Sequence, residues 1–432
     1  MSVRTFIEAA QRRIDALHSM VLLRGGETVA AGAWHPYSLD RPHRLFSLSK
    51  SFTSTAVGFA VAEGLLDVDD PVAKHCDGRG DPRMLVRHLL TMTTGHVEDT
   101  IPIISQPQHT DWLEAFLALP VRKEPGTHFL YNTGATYAIG AIVQKLTGQR
   151  LVDYLRPRLF DPLDFGPVTW EQCPLGRDVA GWGMTARTPE IARFGHLYLH
   201  DERGILPAGW AQQATGKQVE NAYAGENPDW REGYGFQFWR GRHGSFRGDG
   251  AFGQYCLVMP DRGEVLAITA GFTEMHLILD LVWEHLRDDE TEPGPLPRLE
   301  LPALHGGPST VEGTFTVAAP RRTRPEDWRP SHERPPTIRS ITFAAGRVVL
   351  EDETGTHEHP YADGTWTVTG DTAATGAWDG DTFTLRMAYV DGPFIRTYRC
   401  RFDGDELVIA TNDNVSFGPT GYPPTRAVRQ RL

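Results

Sequence analysis

Several absences narrow what this 432-residue chain can be. No stretch reaches the roughly 18 consecutive apolar residues that a membrane-spanning helix needs. Met1–Leu17 interrupts its apolar positions with Glu8 and Asp15, so it is read as neither a signal peptide nor a membrane anchor. Lysine is scarce, with five in the whole chain and none after Lys217, and no basic tract offsets the formal charge of −12. That balance argues against nucleic acid or an anionic membrane surface as a partner. A small molecule is the expected ligand, and a homodimer is compatible with the sequence. The four cysteines (Cys76, Cys173, Cys256, Cys400) lie far apart with no C-x-x-C spacing. This pattern fits buried reduced thiols better than disulfides or zinc, and with it a cytoplasmic protein. His357 and His359 share one side of a strand without a partner cluster, so they are read as solvated, and neither metal nor cofactor is expected.

What is present is an ordinary globular composition, 40% hydrophobic and 23% charged, in a chain long enough for two domains. Thr5-Phe6-Ile7-Glu8 has capping-box form and opens an amphipathic helix. Two strands follow, Ser19 to Arg24 and Glu27 to Trp34, joined at Gly25-Gly26. Helices are expected at Ala56–Leu66, Met84–Met92, Asp111–Leu119, Tyr137–Leu146, from Thr188 to about Leu199, and Met275–Leu286. Strands are expected at Gly233–Trp239, Tyr255–Met259 and Glu264–Ala270, with Phe246–Gln254 as a glycine-rich edge. After Arg287 the composition changes. Asp288–Pro302 is acidic and proline-rich, and the rest reads as an antiparallel meander with hairpin signals at Asp363-Gly364, Asp379-Gly380, Asp391-Gly392 and Asp403-Gly404. Arg321–Pro336, rich in Arg and Pro, is read as its least structured part. The expected division is 1–290, a linker at 291–305, and a β-rich barrel-like domain at 306–432.

The organising stretch is Ser47-Leu48-Ser49-Lys50, at the entry to a helix that is small and apolar all round. A spacing of three puts Ser47 and Lys50 on one helix face, with hydroxyl and amine within reach. A serine hydroxyl needs a base before it becomes nucleophilic, and a desolvated lysine at a helix start can be that base. With 13 Ser and 5 Lys in 432 residues, chance alone yields roughly 0.15 Ser-x-x-Lys matches. A polar helix start with a solvated Lys50 is the competing reading of the tetrapeptide. Tyr131 sits on a loop before a helix and by itself reads as a packing tyrosine. His96, after a helix end, reads as a capping histidine or a group facing a cleft.

Together, Ser47-x-x-Lys50, Tyr131-Asn132-Thr133 and Gly248-Asp249-Gly250 resemble the three motifs of the serine β-lactamase and penicillin-binding-protein superfamily, most of all the class C β-lactamase-like serine hydrolases. Gly64–Val72, Val86–His96 and Gly181-Trp182-Gly183-Met184 support the resemblance, which spans residues 5 to 288. It implies an α+β fold of the β-lactamase/transpeptidase type, an antiparallel sheet flanked by helices plus a helical subdomain. The C-terminal part resembles the antiparallel barrel-like domains appended to some members, where they cap the active-site mouth or serve as a stabilising appendage. The resemblance also implies Ser47 as nucleophile, Lys50 as its base, Tyr131 as proton relay, and the backbone N–H groups of Ser47 and Ala251 as oxyanion hole. Thr133, Asn132, Asp249, Gly250, Trp182 and His96 are the implied substrate contacts.

Two positions depart from the family pattern. Asn132 stands one place early, with Thr133 where the amide belongs, and Gly248 replaces the cation that opens the third motif. Without that cation the expected substrate lacks the carboxylate of penicillins and D-Ala-D-Ala peptides. The function so implied is a serine hydrolase acting on an ester or amide of a small molecule through an acyl-Ser47 intermediate. The alternatives are a transacylase that passes the acyl group to an amine, and a catalytically silent binding protein on the same fold.

Overall fold

The computed structural model describes residues 3–221, 227–286, 299–307, 311–320, 334 and 336–430. Most of the segment read as an acidic linker, and most of Arg321–Pro336, lie outside the described residues. The first sheet has seven strands in the order Trp239–Arg240, Phe246–Gly250, Gln254–Met259, Glu264–Ala270, Leu17–Arg24, Glu27–His35, Leu299–Glu300. All neighbours are antiparallel except the last pair, where Leu299 lies parallel beside Trp34. The central strand Leu17–Arg24 is buried on both faces, so its side chains serve two cores in alternation. Met20 and Leu22 join Phe6, Ile7, Ile278 and Leu281 under the Val3–Arg13 and His276–His285 helices, while Val21 and Leu23 join the core under Thr188–Leu199 and the helical subdomain.

The helical subdomain is built on Ser49–Ala62 and Thr133–Thr147, both buried along most of their length. Asn132 caps the second by accepting from Gly134 N, and Gly148 ends it in the left-handed region at φ 67°. The Thr188–Leu199 helix has the expected bounds. Three expectations need correction. The N-terminal helix is already formed at Val3, so Thr5 is not its cap. Phe246–Gly250 is itself a strand, not merely an edge. Gly233–Trp239 makes isolated bridges and only Trp239 enters a strand, because Gln237 takes φ 65° and its backbone N–H donates to Leu90 O at 3.1 Å.

The C-terminal sheet has ten antiparallel strands from Thr356–Pro360 at one end to Thr367–Thr369 at the other, nearly closed around a core containing Phe315, Phe343, Phe383 and Ile409. Gly380 and Gly404 take positive φ at two of the Asp-Gly hairpins. The chain therefore has an α+β fold, a mostly antiparallel sheet flanked by helices with a helical subdomain and a barrel-like C-terminal sheet, the architecture that the resemblance implies. Among the described residues no helix is long and apolar enough to cross a membrane, and no cluster of His, Cys, Asp and Glu is arranged to hold a metal. All four cysteines are free and buried. His359 is buried, not solvated, and burial lowers its imidazole to about 4.

Candidate active site

A tight turn, Phe46–Leu48, feeds the Ser49–Ala62 helix with no side-chain cap. Phe46 holds φ 48°, a region that aromatic residues rarely occupy, so Ser47 is presented from a strained backbone. Lys50 is 1% exposed. Its Nζ donates to Ser47 Oγ at 2.9 Å and to Gly181 O at 2.8 Å, and it lies 4.9 Å from the centre of the Tyr131 ring. Desolvation lowers the Lys50 amine to about 7, against the opposing pull of Asp99 and Asp249. Near neutral pH a large share of Lys50 is therefore uncharged and able to take the Ser47 proton.

Tyr131 stacks on Trp239 at 5.3 Å and meets the edge of Tyr234 at 6.4 Å, which fixes its ring. Its ring also lies 4.9 Å from Lys50 Nζ, the amine that reaches Ser47. Burial, and next the Asp249 charge, push that phenol well above its ordinary range, so it stays protonated and can donate. Ser47, Lys50 and Tyr131 thus meet as one constellation: a serine hydroxyl beside a buried amine of lowered basicity and a protonated phenol.

The third motif corrects the reading of the sequence. A Cβ on Gly248 would meet Leu48 Cδ1 at 2.4 Å and Ser51 Oγ at 2.6 Å, so this position faces the start of the nucleophile helix and has no space for a cation. A Cβ on Gly250 would lie 2.0 Å from Leu45 O. Glycine at both positions lets the strand lie against the turn that carries Ser47. Asp249, expected to contact substrate, is buried and accepts from Arg247 Nε at 3.0 Å. Arg247 in turn donates to Asp229 O at 2.8 Å and lies 4.4 Å from the Trp230 ring centre. Burial still raises the Asp249 carboxyl, with Arg247 opposing. Past Gly250, Gln254 Nε2 donates to Ala251 O at 2.9 Å and to Ala270 O at 3.0 Å, which orients the Ala251 peptide.

Ser47 and Ala251 line one cavity of about 330 Å³, with Thr133, Trp182, Asp99, Glu171, Arg44 and Phe417 among its walls. Larger cavities exist, one of about 440 Å³ in the C-terminal sheet, but they carry no serine–lysine–tyrosine group. Of the implied substrate contacts, Thr133 and Trp182 are placed at the cavity, while Asn132, Asp249, Gly250 and His96 are not among its lining residues. Asn132 is buried, and its Oδ1 accepts from Thr100 N at 3.0 Å and Thr100 Oγ1 at 2.8 Å, which spends it on the helix start. His96 Nδ1 is 2.8 Å from Thr94 Oγ1, its ring packs on Phe116 at 5.0 Å, and burial lowers it to about 4.

Four cavity residues had no motif to reveal them. Asp99 Oδ1 accepts from Ile101 N at 3.1 Å and Thr133 N at 3.0 Å, at the positive end of the Thr133–Thr147 helix. Glu171 accepts from Arg44 at 3.2 Å and from Trp182 Nε1 at 3.0 Å, and burial raises its carboxyl. Arg44 also reaches Asp391 of the C-terminal sheet at 3.3 Å. Phe417 comes from a loop 370 positions after Ser47, and no local feature of the sequence marks it.

A Beta-lactamase family model matches residues 8–275. A 6-aminohexanoate-dimer hydrolase of Paenarthrobacter ureafaciens is 27% identical over 285 residues, covering 57% of this chain and 71% of that protein. A monacolin J acid methylbutanoyltransferase of Aspergillus terreus is 27% identical over 164 residues, 32% of this chain and 40% of that protein, so the match spans less than half of it. Among solved structures, an octameric penicillin-binding protein homologue from Pyrococcus abyssi superposes with a TM-score of 0.54 at 14% identity, covering 98% of each chain.

Proposed function

The chain belongs to the beta-lactamase family and is an enzyme of its serine hydrolase and acyltransferase kind; from that premise we propose that it cleaves an ester or amide of an uncharged small molecule through an acyl-Ser47 intermediate. The observation that carries this reading is the 2.9 Å contact between Lys50 Nζ and Ser47 Oγ, with the amine lowered to about 7. The Ser47 proton passes to neutral Lys50 as Oγ bonds the acyl carbon. The carbonyl oxygen becomes an oxyanion facing the N–H groups of Ser47 and Ala251. Collapse breaks the bond to the leaving oxygen or nitrogen, which takes a proton from Tyr131, and Tyr131 is reprotonated from Lys50. Water, deprotonated by the same pair, then attacks the Ser47 ester, releasing the acid and restoring the hydroxyl.

The cavity walls support a substrate without a carboxylate. Among the described lining residues the only cation is Arg44, already paired with Glu171 and Asp391, and Asp99 adds another acid. Acyl transfer, with an amine as the acceptor, is the second reading; the methylbutanoyltransferase likeness supports transfer as such and leaves the acceptor open. The two share every step up to the acyl-enzyme. We place this chemistry in the cytoplasm, in keeping with four unpaired cysteines.

The test is labelling with a fluorophosphonate followed by peptide mass spectrometry. One adduct on Ser47 is expected, absent in Ser47→Ala, together with slow or undetectable benzylpenicillin turnover. An unlabelled Ser47 would favour a binding protein, and rapid penicillin hydrolysis would overturn the substrate class. Free acid as product, with candidate amines present, separates hydrolysis from transfer.

A further inference from the structure

Phe417 is 67% exposed, yet it lines the same cavity as Ser47. An aromatic ring left bare on the surface loses what apolar burial contributes, so its setting carries information. One edge of the ring is held: it lies 4.7 Å from Phe252 and 5.9 Å from Phe46, ring centre to ring centre. Those two residues adjoin Ala251 and Ser47, the carriers of the oxyanion donors. Two positions before Phe417, Val415 is fully buried in the same cluster with Phe394. Next to it, Asn414 Nδ2 donates to Gly271 O at 2.7 Å and to Pro393 O at 2.9 Å. The stem of the loop is therefore tied to Gly271 of the N-terminal part and to Pro393, while the Phe417 ring stays largely exposed at the cavity.

Ile101, Pro102 and Trp182 are also among the cavity's walls, so that with Phe417 apolar side chains from three separate segments line it. With Arg44 and Glu171 paired to each other, Asp99 remains as an acid on the cavity wall and repels a carboxylate-bearing group. At about 330 Å³ the space is at the small end for ligand sites, which fits one acyl chain better than a long peptide.

We propose that Phe417 is a specificity-determining residue of the Ser47 site, supplying from the C-terminal sheet the outer wall of a slot for an uncharged, apolar acyl group. This rests on the acyl-Ser47 reading and specifies its substrate class. A slot of this kind discriminates by chain length, because each methylene that gains contact raises acylation of the longer substrate.

The test compares p-nitrophenyl hexanoate with p-nitrophenyl acetate in full-length wild type, Phe417→Ala and Phe417→Leu, reading p-nitrophenol release that Ser47→Ala abolishes. Wild type is expected to prefer hexanoate, and Phe417→Ala to reduce the hexanoate-to-acetate ratio of kcat/KM about tenfold. Phe417→Leu is expected to keep most of the ratio, since it retains apolar bulk. A merely structural role would lower both esters together and leave the ratio unchanged, and that result overturns the assignment. So does a wild type without preference for hexanoate. Fluorophosphonate labelling keeps the two failures apart: Ser47 labelled with an unaltered ratio overturns the role of Phe417 alone, whereas an unlabelled Ser47 overturns the acyl-enzyme reading and the slot with it.

Discussion

Lys50 shows how one residue acquires its chemistry from burial. In water its amine would hold its proton through the whole physiological range and could accept nothing from Ser47. Buried in the Ser49–Ala62 helix it is lowered to about 7, and the charges of Asp99 and Asp249 keep it from falling further. On the proposed reading that neutral Lys50 primes Ser47, the rate of Ser47 labelling is expected to rise with pH through about 7 and to level off above about pH 8. No decline from Tyr131 is expected on the alkaline side, since its phenol is pushed above its ordinary range. Lys50→Arg, which keeps a cation that cannot deprotonate, is expected to slow labelling by about 10² or more at every pH. A flat profile between about pH 5.5 and 9 in wild type would show that another group primes the serine. Ser47, Lys50 and Tyr131 were legible in the sequence because each sits in a short local pattern. Gly248 was misread, since a linear motif does not state which neighbour a strand position faces.

At the level of elements, the site depends on how closely the Phe246–Gly250 strand lies against the turn that carries Ser47. Leu45 O is backbone and cannot rotate away from a Cβ on Gly250, 2.0 Å distant. Gly250→Ala is therefore expected to displace the strand, costing roughly 1–3 kcal/mol of stability. The Ala251 N–H moves with it, and losing such a donor lowers the acylation rate by about 10² to 10³. Thermal unfolding and labelling rate, measured on the same sample, check both halves. A variant with wild-type melting and wild-type labelling would mean that close packing does not set Ala251. The expected elements were recovered best where periodicity was long, as in the Thr188–Leu199 helix. Gly233–Trp239 failed because its alternation of small and aromatic residues mimics a strand, while tertiary bonds from Gln237 to Leu89 O and Leu90 O hold it irregular.

Across the whole molecule, the C-terminal sheet shares a core with the N-terminal part, where Trp366, Val390 and Ile395 cluster with Leu17 and Tyr37, and it reaches the candidate site itself. Arg44 N donates to Asp391 O at 2.8 Å, a Cβ on Gly271 would lie 2.3 Å from Pro393 O, and Phe394 packs on Phe46 and Phe252 at 6.2 and 5.9 Å. The meander was legible from its Asp-Gly hairpins, but nothing local marks Asn414 or Phe417 as reaching the nucleophile, because that proximity exists only once both sheets have formed. Asn414 is the most telling of these residues. Its amide donates to Gly271 O and Pro393 O, while its Oδ1 accepts from Ile395 N at 2.6 Å. Asn414→Ala leaves those groups without their partner, at a cost of roughly 1–3 kcal/mol. If the C-terminal sheet merely hung from the catalytic domain, that loss would lower the melting temperature and leave Ser47 chemistry alone. Since the same loop props Phe46 and Phe252, the residues next to Ser47 and Ala251, the labelling rate is expected to fall together with the melting temperature. Labelling that stays at the wild-type rate at a temperature where the variant is fully folded would reduce the C-terminal sheet to a stabilising appendage.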